Sequence, residues 1–420
     1  MRLFVAIRYF SAHKRQSAVC IVGVMISVMM YVVITTMFKG FSDKFIIETV
    51  ESAGHITVRD EPREFRTPIL ERAYLTGGRP VGSAVLVLEG TKPREQVRKI
   101  KNPQGLLRRI RSLDGVVAAA GLVRGSVICT YGTRNVNVEI YGVEPEQQLR
   151  VTTIGSQLVA GDFSRLKTVG NGVVLGSGVA RALGVSLDDV VTLSSAAGGL
   201  TTSKVVGIFE TGIVPIDNTR GYMLLSSAQT LLDRKSIINE IAIRTTDYER
   251  APAFAAQIEA LSGYKTEPWQ ETNANFLRIF VVQNLIGLFI TSAILIVAGF
   301  GVLNILIMAV LERVYDIAIL RSFGLSRNDI TLIYLFQGLV IGVVGAALGL
   351  AAGKVAVELL RRLPIKLEGL VKSEGLLMSE HAETYIFAAV SAVAITLLAA
   401  VYPARRAASF DPVDVIRGVH

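Results

Sequence analysis

The stretch 311-LERVYDIAILRSFGLSRNDI-330 separates two uncharged runs, Ile279 to Leu311 and Ile330 to Gly353, and a bilayer crossing needs about 20 such residues. Within it Ile317, Ile319, Leu320 and Phe323 fall at the i, i+3 and i+4 spacings of an apolar stripe. That leaves Glu312, Arg313, Asp316 and Arg321 for the wet side. Gly324 stands where a helix ends in a left-handed residue, and Ser326 with Asp329 three positions on suits the N-cap of the next helix. The local reading is a short surface helix, a tight corner and a membrane helix. On these residues alone the segment is either an ordinary amphipathic loop or a docking element.

Two further uncharged runs, Ala18 to Phe38 and Thr384 to Ala404, bring the spans to four. The run from Ile279 to Leu311 exceeds what a span needs, so it is expected to project beyond the bilayer. The first run is too long for a signal-peptide core and no A-x-A site follows, which predicts a retained anchor. At 51% hydrophobic and 19% charged residues, the chain is too apolar for a soluble enzyme and too charged for membrane helices alone.

The net charge of +9 does not indicate nucleic acid, because no single predicted helix collects the basic residues. It follows the positive-inside rule: Arg2, Arg8, Lys14 and Arg15, then Arg313, Arg321 and Arg327, then Arg405, Arg406 and Arg417 fall on one side. The 354–383 loop balances five basic with five acidic residues. Both termini are therefore expected in the cytoplasm and the long segment after the first span outside.

The predicted fold class is an α-helical membrane protein with four transmembrane helices and a large two-lobed α+β domain inserted between helices 1 and 2. The order is an interfacial or topology-setting segment 1–17, span 18–38, external domain 39–275, span 279–311, cytoplasmic segment 312–329, span 330–353, external loop 354–383, span 384–404 and tail 405–420. In the external domain two strand–helix–strand sets, about 45–143 and 237–275, suit a split βαβ layer, with a second lobe at about 144–236. GNGVVLG at Gly170 to Gly176 has the wrong spacing for a dinucleotide fingerprint and reads as a turn before a strand.

In the third span Gly338, Gly342, Gly345, Gly349 and Gly353 repeat a small-xxx-small spacing, for packing within the chain or at a dimer seam. No span carries a charge, which disfavours an ion-coupled carrier. There is no G-x-x-x-x-G-K-[ST], so an ATPase must come in trans. His13, His55, His381 and His420 are scattered, and Cys20 and Cys129, one in a span and one outside, cannot pair. No catalytic, cofactor-binding or metal-binding residues are assigned. Pro403 is expected to end the last span, and Asp411, Pro412 and Asp414 to start a short terminal helix.

Glu312-Arg313, Ile317-x-Ile319-Leu320-Arg321 and Gly324-x-Ser326-Arg327 resemble the coupling segment of the lipoprotein-releasing (LolC/LolE-type) and macrolide-exporter (MacB-type) ABC permeases. Pro403-x-x-Arg406-Ala407-Ala408-x-x-x-Pro412 resembles their closing motif, and Tyr141 to Pro145, Gly161 to Phe163 and Val206 to Phe209 resemble the periplasmic domain of the LolC/LolE type. The resemblance implies an inner-membrane permease subunit with no cofactor of its own. A cytoplasmic ABC ATPase dimer would bind ATP and meet Glu312, Arg313, Asp316, Ile319, Leu320, Arg321, Gly324, Ser326 and Arg327. It also implies a second permease copy, identical or a paralogue, and a membrane-fusion adaptor or lipoprotein carrier, for release or export of a lipoprotein or other amphiphile. A related type would instead signal to a cell-wall hydrolase without transport. Two departures stand out: only SSAAGGLTTS (Ser194 to Ser203) occupies the place of the carrier-docking hairpin, and a polar, proline-bearing stretch is added at about 60–101.

Overall fold

The computed structural model describes residues 14–60, 99–365, 367–369, 371–373 and 375–410. Tertiary contacts divide the chain into two compact units. One is Ile46–Ala274 with Gly369–Lys372, and the other is Met1–Phe45, Asn275–Glu368 and Ser373–His420. The expectations for 1–13, for most of the added 60–101 stretch and for the terminal helix at Asp411 fall outside the described residues.

Helix α1 covers Lys14–Ala53 without a break. The stretch from Lys39 onward, expected to begin the α+β domain, is therefore helical to Ala53. Gly54 at φ 82° then turns the chain into β1, Ile56–Arg59. Helix α2, Pro103–Arg111, buries Leu106, Leu107 and Ile110 along one face. It leads to the long strand β2, Val116–Tyr131, and its hairpin partner β3, Arg134–Val143. Next come β4 (Leu158–Gly161), β5 (Gly172–Gly176), α3 (Ser177–Leu183), β6 (Val190–Ser195) and β7 (Leu200–Phe209). Then follow α4 (Val214–Thr219), β8 (Arg220–Leu224), β9 (Glu240–Thr245), α5 (Ala251–Ser262) and β10 (Lys265–Pro268).

The strands line up as β10-β1-β9-β2-β3-β8-β5-β7-β4, with β6 pairing to β2 and β7. Each of the first four is antiparallel to its neighbour, with Val58 opposite both Thr266 and Ile241. With α2 and α5 as crossovers they form the split βαβ layer that the two strand–helix–strand sets implied. β3 departs from the expectation. It joins the second half of β2 and lies parallel to β8, so it belongs to the inserted lobe, and β2 alone is shared. The reason is length: residues 116–122 of β2 pair with β9 and 123–131 with β3.

The second lobe is covered on both faces. Val173, Leu175, Val205, Val138 and Ile140 point into one core with Cys129 and Leu183, while Val174, Val206, Tyr141 and Val143 point into the other with Phe163, Phe209 and Tyr222. This explains why GVVLG is an unbroken buried run. The last turn of α1 is fixed here too: the Glu51 carbonyl accepts from Thr153 N–H at 3.0 Å and the Ser52 carbonyl from Arg220 Nη1 at 3.3 Å.

In the other unit α6 is Ala274–Leu311, α7 Val314–Ser322, α8 Arg327–Arg361 and α9 Ala382–Ser409. Helices α1, α6, α8 and α9 each contain a window apolar enough to cross a membrane, with mean hydropathy between 2.1 and 2.8. At 38 residues α6 is about 57 Å long against a hydrocarbon core of about 30 Å, as its length in sequence predicted. Two helix ends differ from expectation. α8 continues past Gly353 to Arg361, where Arg361 and Arg362 pair with Glu358, so the 354–383 loop begins later. Pro403 does not end the last helix: it is buried inside α9, which runs to Ser409. A proline lacks only the N–H bonded to the residue four back, and neighbouring contacts can hold a helix through that loss.

Candidate coupling segment

Two short-range devices and one packing contact shape the corner between α6 and α8. Helix α7 closes with Gly324 at φ 96°, a left-handed conformation that strains any side-chain-bearing residue. Asp329 N–H donates to Ser326 Oγ at 3.3 Å, and Ser326 N–H donates to Asp329 Oδ2 at 3.0 Å, a reciprocal capping box that starts α8. Ile317 then pins the corner to the bundle, packing with Val310, Ile330, Ile333 and Tyr334 and with Ala404, Ala407 and Ala408 of α9.

The apolar stripe is split between two faces. Ile317 is buried and Leu320 half-buried, but Ile319 is 47% and Phe323 82% exposed. With Tyr315, 60% exposed, they form an outward row at i, i+4 and i+8. The four residues read as one apolar stripe therefore do not share a single face: α9 covers one side of α7, and apolar residues occupy both. The expectation that Arg321 lies on the wet side is corrected. It is half-buried, and its guanidinium donates to the backbone carbonyl of Phe410, the C-cap of α9. Glu312, Asp316, Ser326 and Arg327 are exposed and Arg313 is half-buried. Tyr315 was not singled out in the sequence, although its spacing to Ile319 and Phe323 was there to read.

The glycine ridge of α8 faces the chain's own helices. A Cβ on Gly338 would lie 2.6 Å from Ala400 Cβ of α9, and one on Gly342 would strike Thr396. On Gly345, Gly349 and Gly353 it would lie 2.8, 2.6 and 3.1 Å from Val24, Val28 and Val32 of α1. The five residues therefore split into a pair against α9 and a trio against α1.

The α+β unit has an open cleft of about 370 Å³, lined by Arg59, Asp60, Arg124, Glu139, Arg234 and Glu240, that no sequence motif announced. Glu240 accepts from Arg59 Nε at 3.0 Å and lies 3.5 Å from Arg124, which also pairs with Glu139 at 2.5 Å. Strand pairing assembles these groups across about 180 residues of chain, so no local motif announces them. Among the described residues no cluster of three or more His, Cys, Asp or Glu could hold a metal ion.

Residues 17–261 match the model of the MacB-like periplasmic core domain, and residues 288–412 that of the FtsX-like permease C-terminal region. The chain belongs to this permease family. It is 26% identical over 337 residues to the lipoprotein-releasing system transmembrane protein LolC of Neisseria meningitidis, covering 75% of this chain and 81% of that one. It is 27% identical over 341 residues to the corresponding LolE of Haemophilus influenzae, covering 74% and 80%. The macrolide export ATP-binding/permease protein MacB of Bdellovibrio bacteriovorus is 23% identical over 372 residues, and the match spans 80% of this chain and about half, 54%, of that protein. The crystal structure of the periplasmic region of MacB from Actinobacillus actinomycetemcomitans aligns at 13% identity with a TM-score of 0.33, covering 55% of this chain and 97% of that one. The permease is thus a multi-pass membrane protein with a large α+β domain between its first and second long helices.

Proposed function

We propose that the permease is the non-catalytic membrane subunit of an ABC exporter, in which α7 docks on a separate cytoplasmic ATPase dimer and passes its closure to the α+β domain. The observation that carries this reading is the outward row Tyr315, Ile319 and Phe323, presented on a helix held by Gly324, the Ser326–Asp329 box and the Arg321–Phe410 bond. Tyr315 and Ile319 exposed on the nine-residue helix, with Phe323 at its C-cap, support a protein contact here. Glu312, Asp316 and Arg327 supply a charged rim.

The basic residues beside this corner and at both termini support a cytoplasmic assignment for it and for the termini in a bacterial inner membrane. ATP then belongs to the partner, and no cofactor to this chain. A second copy or paralogue would complete the assembly. The likeness to LolC and LolE favours a lipoprotein or another outer-leaflet amphiphile as cargo, handed to a carrier or a membrane-fusion adaptor.

Tyr315→Asp with Phe323→Asp places two charges on the docking row without touching the buried face of α7. The doubly substituted permease should still reach the membrane but copurify with at least about tenfold less ATPase subunit, since central apolar anchors each account for 2 kcal/mol or more of an interface. Undiminished copurification would refute the docking role. Recovery of a cell-wall hydrolase and no lipoprotein with the intact complex would replace export by signalling.

A further inference from the structure

Ser177 follows β5 directly within Gly176-Ser177-Gly178 and opens α3, and its Oγ lies 3.0 Å from Lys372 Nζ. A serine at a strand-to-helix elbow beside a lysine has the layout of an activated nucleophile. The donors of this lysine are already committed, however. Nζ donates to Glu210 Oε1 and to Asp217 Oδ2, the latter at 3.2 Å, and Ser177 itself donates to Glu210 at 3.0 Å. With its donors spent on two carboxylates and a hydroxyl, Lys372 has no lone pair to offer as a base. The cluster is a clamp on a cation.

One carboxylate of the clamp is held in place by groups other than Lys372. Asp217 is fully buried, and its Oδ1 accepts from both Thr211 N–H and Thr211 Oγ1 at 2.8 Å, leaving Oδ2 for the lysine. Gly176 and Gly178 let the start of α3 approach the backbone of Asp217 and the side chain of Asn218, where any Cβ would collide. The hydrogen bond from Lys372 holds the Glu210 carboxyl below its usual range. Lys372 itself comes from the connection between α8 and α9. Beyond the clamp, Val371 forms an isolated antiparallel bridge with Ile213, and Lys372 N–H donates to the Gly212 carbonyl at 2.7 Å. Together with the two-residue strand Lys372–Ser373, which pairs with Leu367–Glu368, that bridge is far short of a strand that holds itself in place.

We propose that Lys372 is the bolt of a detachable latch: its ammonium, seated between Glu210 and Asp217, holds Val371 and Lys372 on the α+β unit, and its withdrawal frees them. A short segment held by this clamp and by two backbone contacts, Val371 with Ile213 and Lys372 N–H with the Gly212 carbonyl, has two discrete states, seated and released, and so suits a switch. The seated state stands on the geometry alone. That ATPase closure draws the bolt rests on the function proposed above.

Hydrogen–deuterium exchange of the full-length permease tests the latch, read on peptides covering 369–375. Lys372→Met should speed exchange of the Lys372 amide by at least about tenfold, as loss of one partner of a buried pair implies, while Lys372→Arg should not. Exchange unchanged by Lys372→Met would overturn the latch. Glu210→Gln, which alters a half-exposed partner, gives the same test if Lys372→Met fails to fold. In the complex with its ATPase, trapped with ATP and vanadate, the same amide should exchange faster than without nucleotide. No change in a preparation shown to contain the ATPase would overturn the switching role. Absence of the ATPase would instead count against the proposed function and leave the latch standing.

Discussion

The two units of the permease are specified by opposite means. In the helical unit the core is made by subtraction: glycines along α8 remove side chains so that α1 and α9 come into backbone contact. In the α+β unit the core is filled with Tyr222, Phe163, Phe209 and branched residues and pinned by buried polar pairs such as Glu240 with Arg59 and Asp217 with Lys372. The difference follows from the solvents the two kinds of sequence suit. In lipid, apolar burial between helices yields no net gain, so close van der Waals approach must hold them. In water, large apolar side chains drive collapse, and a buried charge persists only if it is paired.

The comparison breaks most readily at Gly349. A Cβ there would lie 2.6 Å from Val28 Cβ and 2.8 Å from the Met25 carbonyl. Gly349→Leu should therefore destabilise the helical unit by about 3 kcal/mol or more. Gly301, with nothing within 4 Å of its would-be Cβ, is the control, and Gly301→Leu should be nearly silent. Thermal unfolding in detergent gives the readout, and equal effects of the two substitutions would show that α8 does not depend on backbone approach.

Glu240→Ala attacks the other kind of core. It removes the shared acceptor of Arg59 and Arg124, which keep Glu267 and Glu139. Breaking a buried pair ordinarily costs 3–5 kcal/mol, and these remaining partners should reduce the loss to about 2 kcal/mol. A smaller effect is expected of Lys167 with Glu146, which is exposed on both sides and should leave the midpoint unmoved when Lys167 becomes Ala. Should the two substitutions prove alike, burial would not be what makes the Glu240 pairs matter.

What the sequence revealed tracks how local each feature is. Gly324 and the Ser326–Asp329 box were legible because their partners lie a few residues apart, and the strand–helix–strand sets because each element's own apolar pattern is local, although its sheet partners are not. Residues separated by 155 in sequence, as Asp217 and Lys372 are, leave no pattern, so the latch was invisible. Ile319 and Phe323 were read into one stripe with Ile317 and Leu320, but spacing does not show what covers a helix face, and these two lie on an exposed one. Pro403 shows a local rule overridden by packing, and β3 a boundary set by the length of a neighbouring strand.

The smallest effect sharpens the contrast, since it concerns a buried polar group held neutral instead of paired. His55 Nδ1 accepts the Thr245 N–H at 3.2 Å, so that nitrogen carries no proton in the folded state. Burial, reinforced by the Arg244 charge and opposed by Asp247, lowers its pKa to about 4. Protonation would set one N–H against another. The unfolded chain takes up this proton below the ordinary value near 6.5, while the folded chain resists until about 4. The contribution of His55 to stability is thus complete above about pH 6.5 and is lost as pH falls towards 4, a change of about 1–2 kcal/mol once residual hydration is allowed for. Unfolding midpoints of the full-length chain between pH 8 and pH 5 should fall accordingly. His55→Gln, which also accepts a hydrogen bond but does not titrate, should start lower and fall less. If the His55→Gln chain loses as much between those pH values as the parent, the neutral histidine is not the group responsible, and the slope must be sought among the paired carboxylates of the same unit.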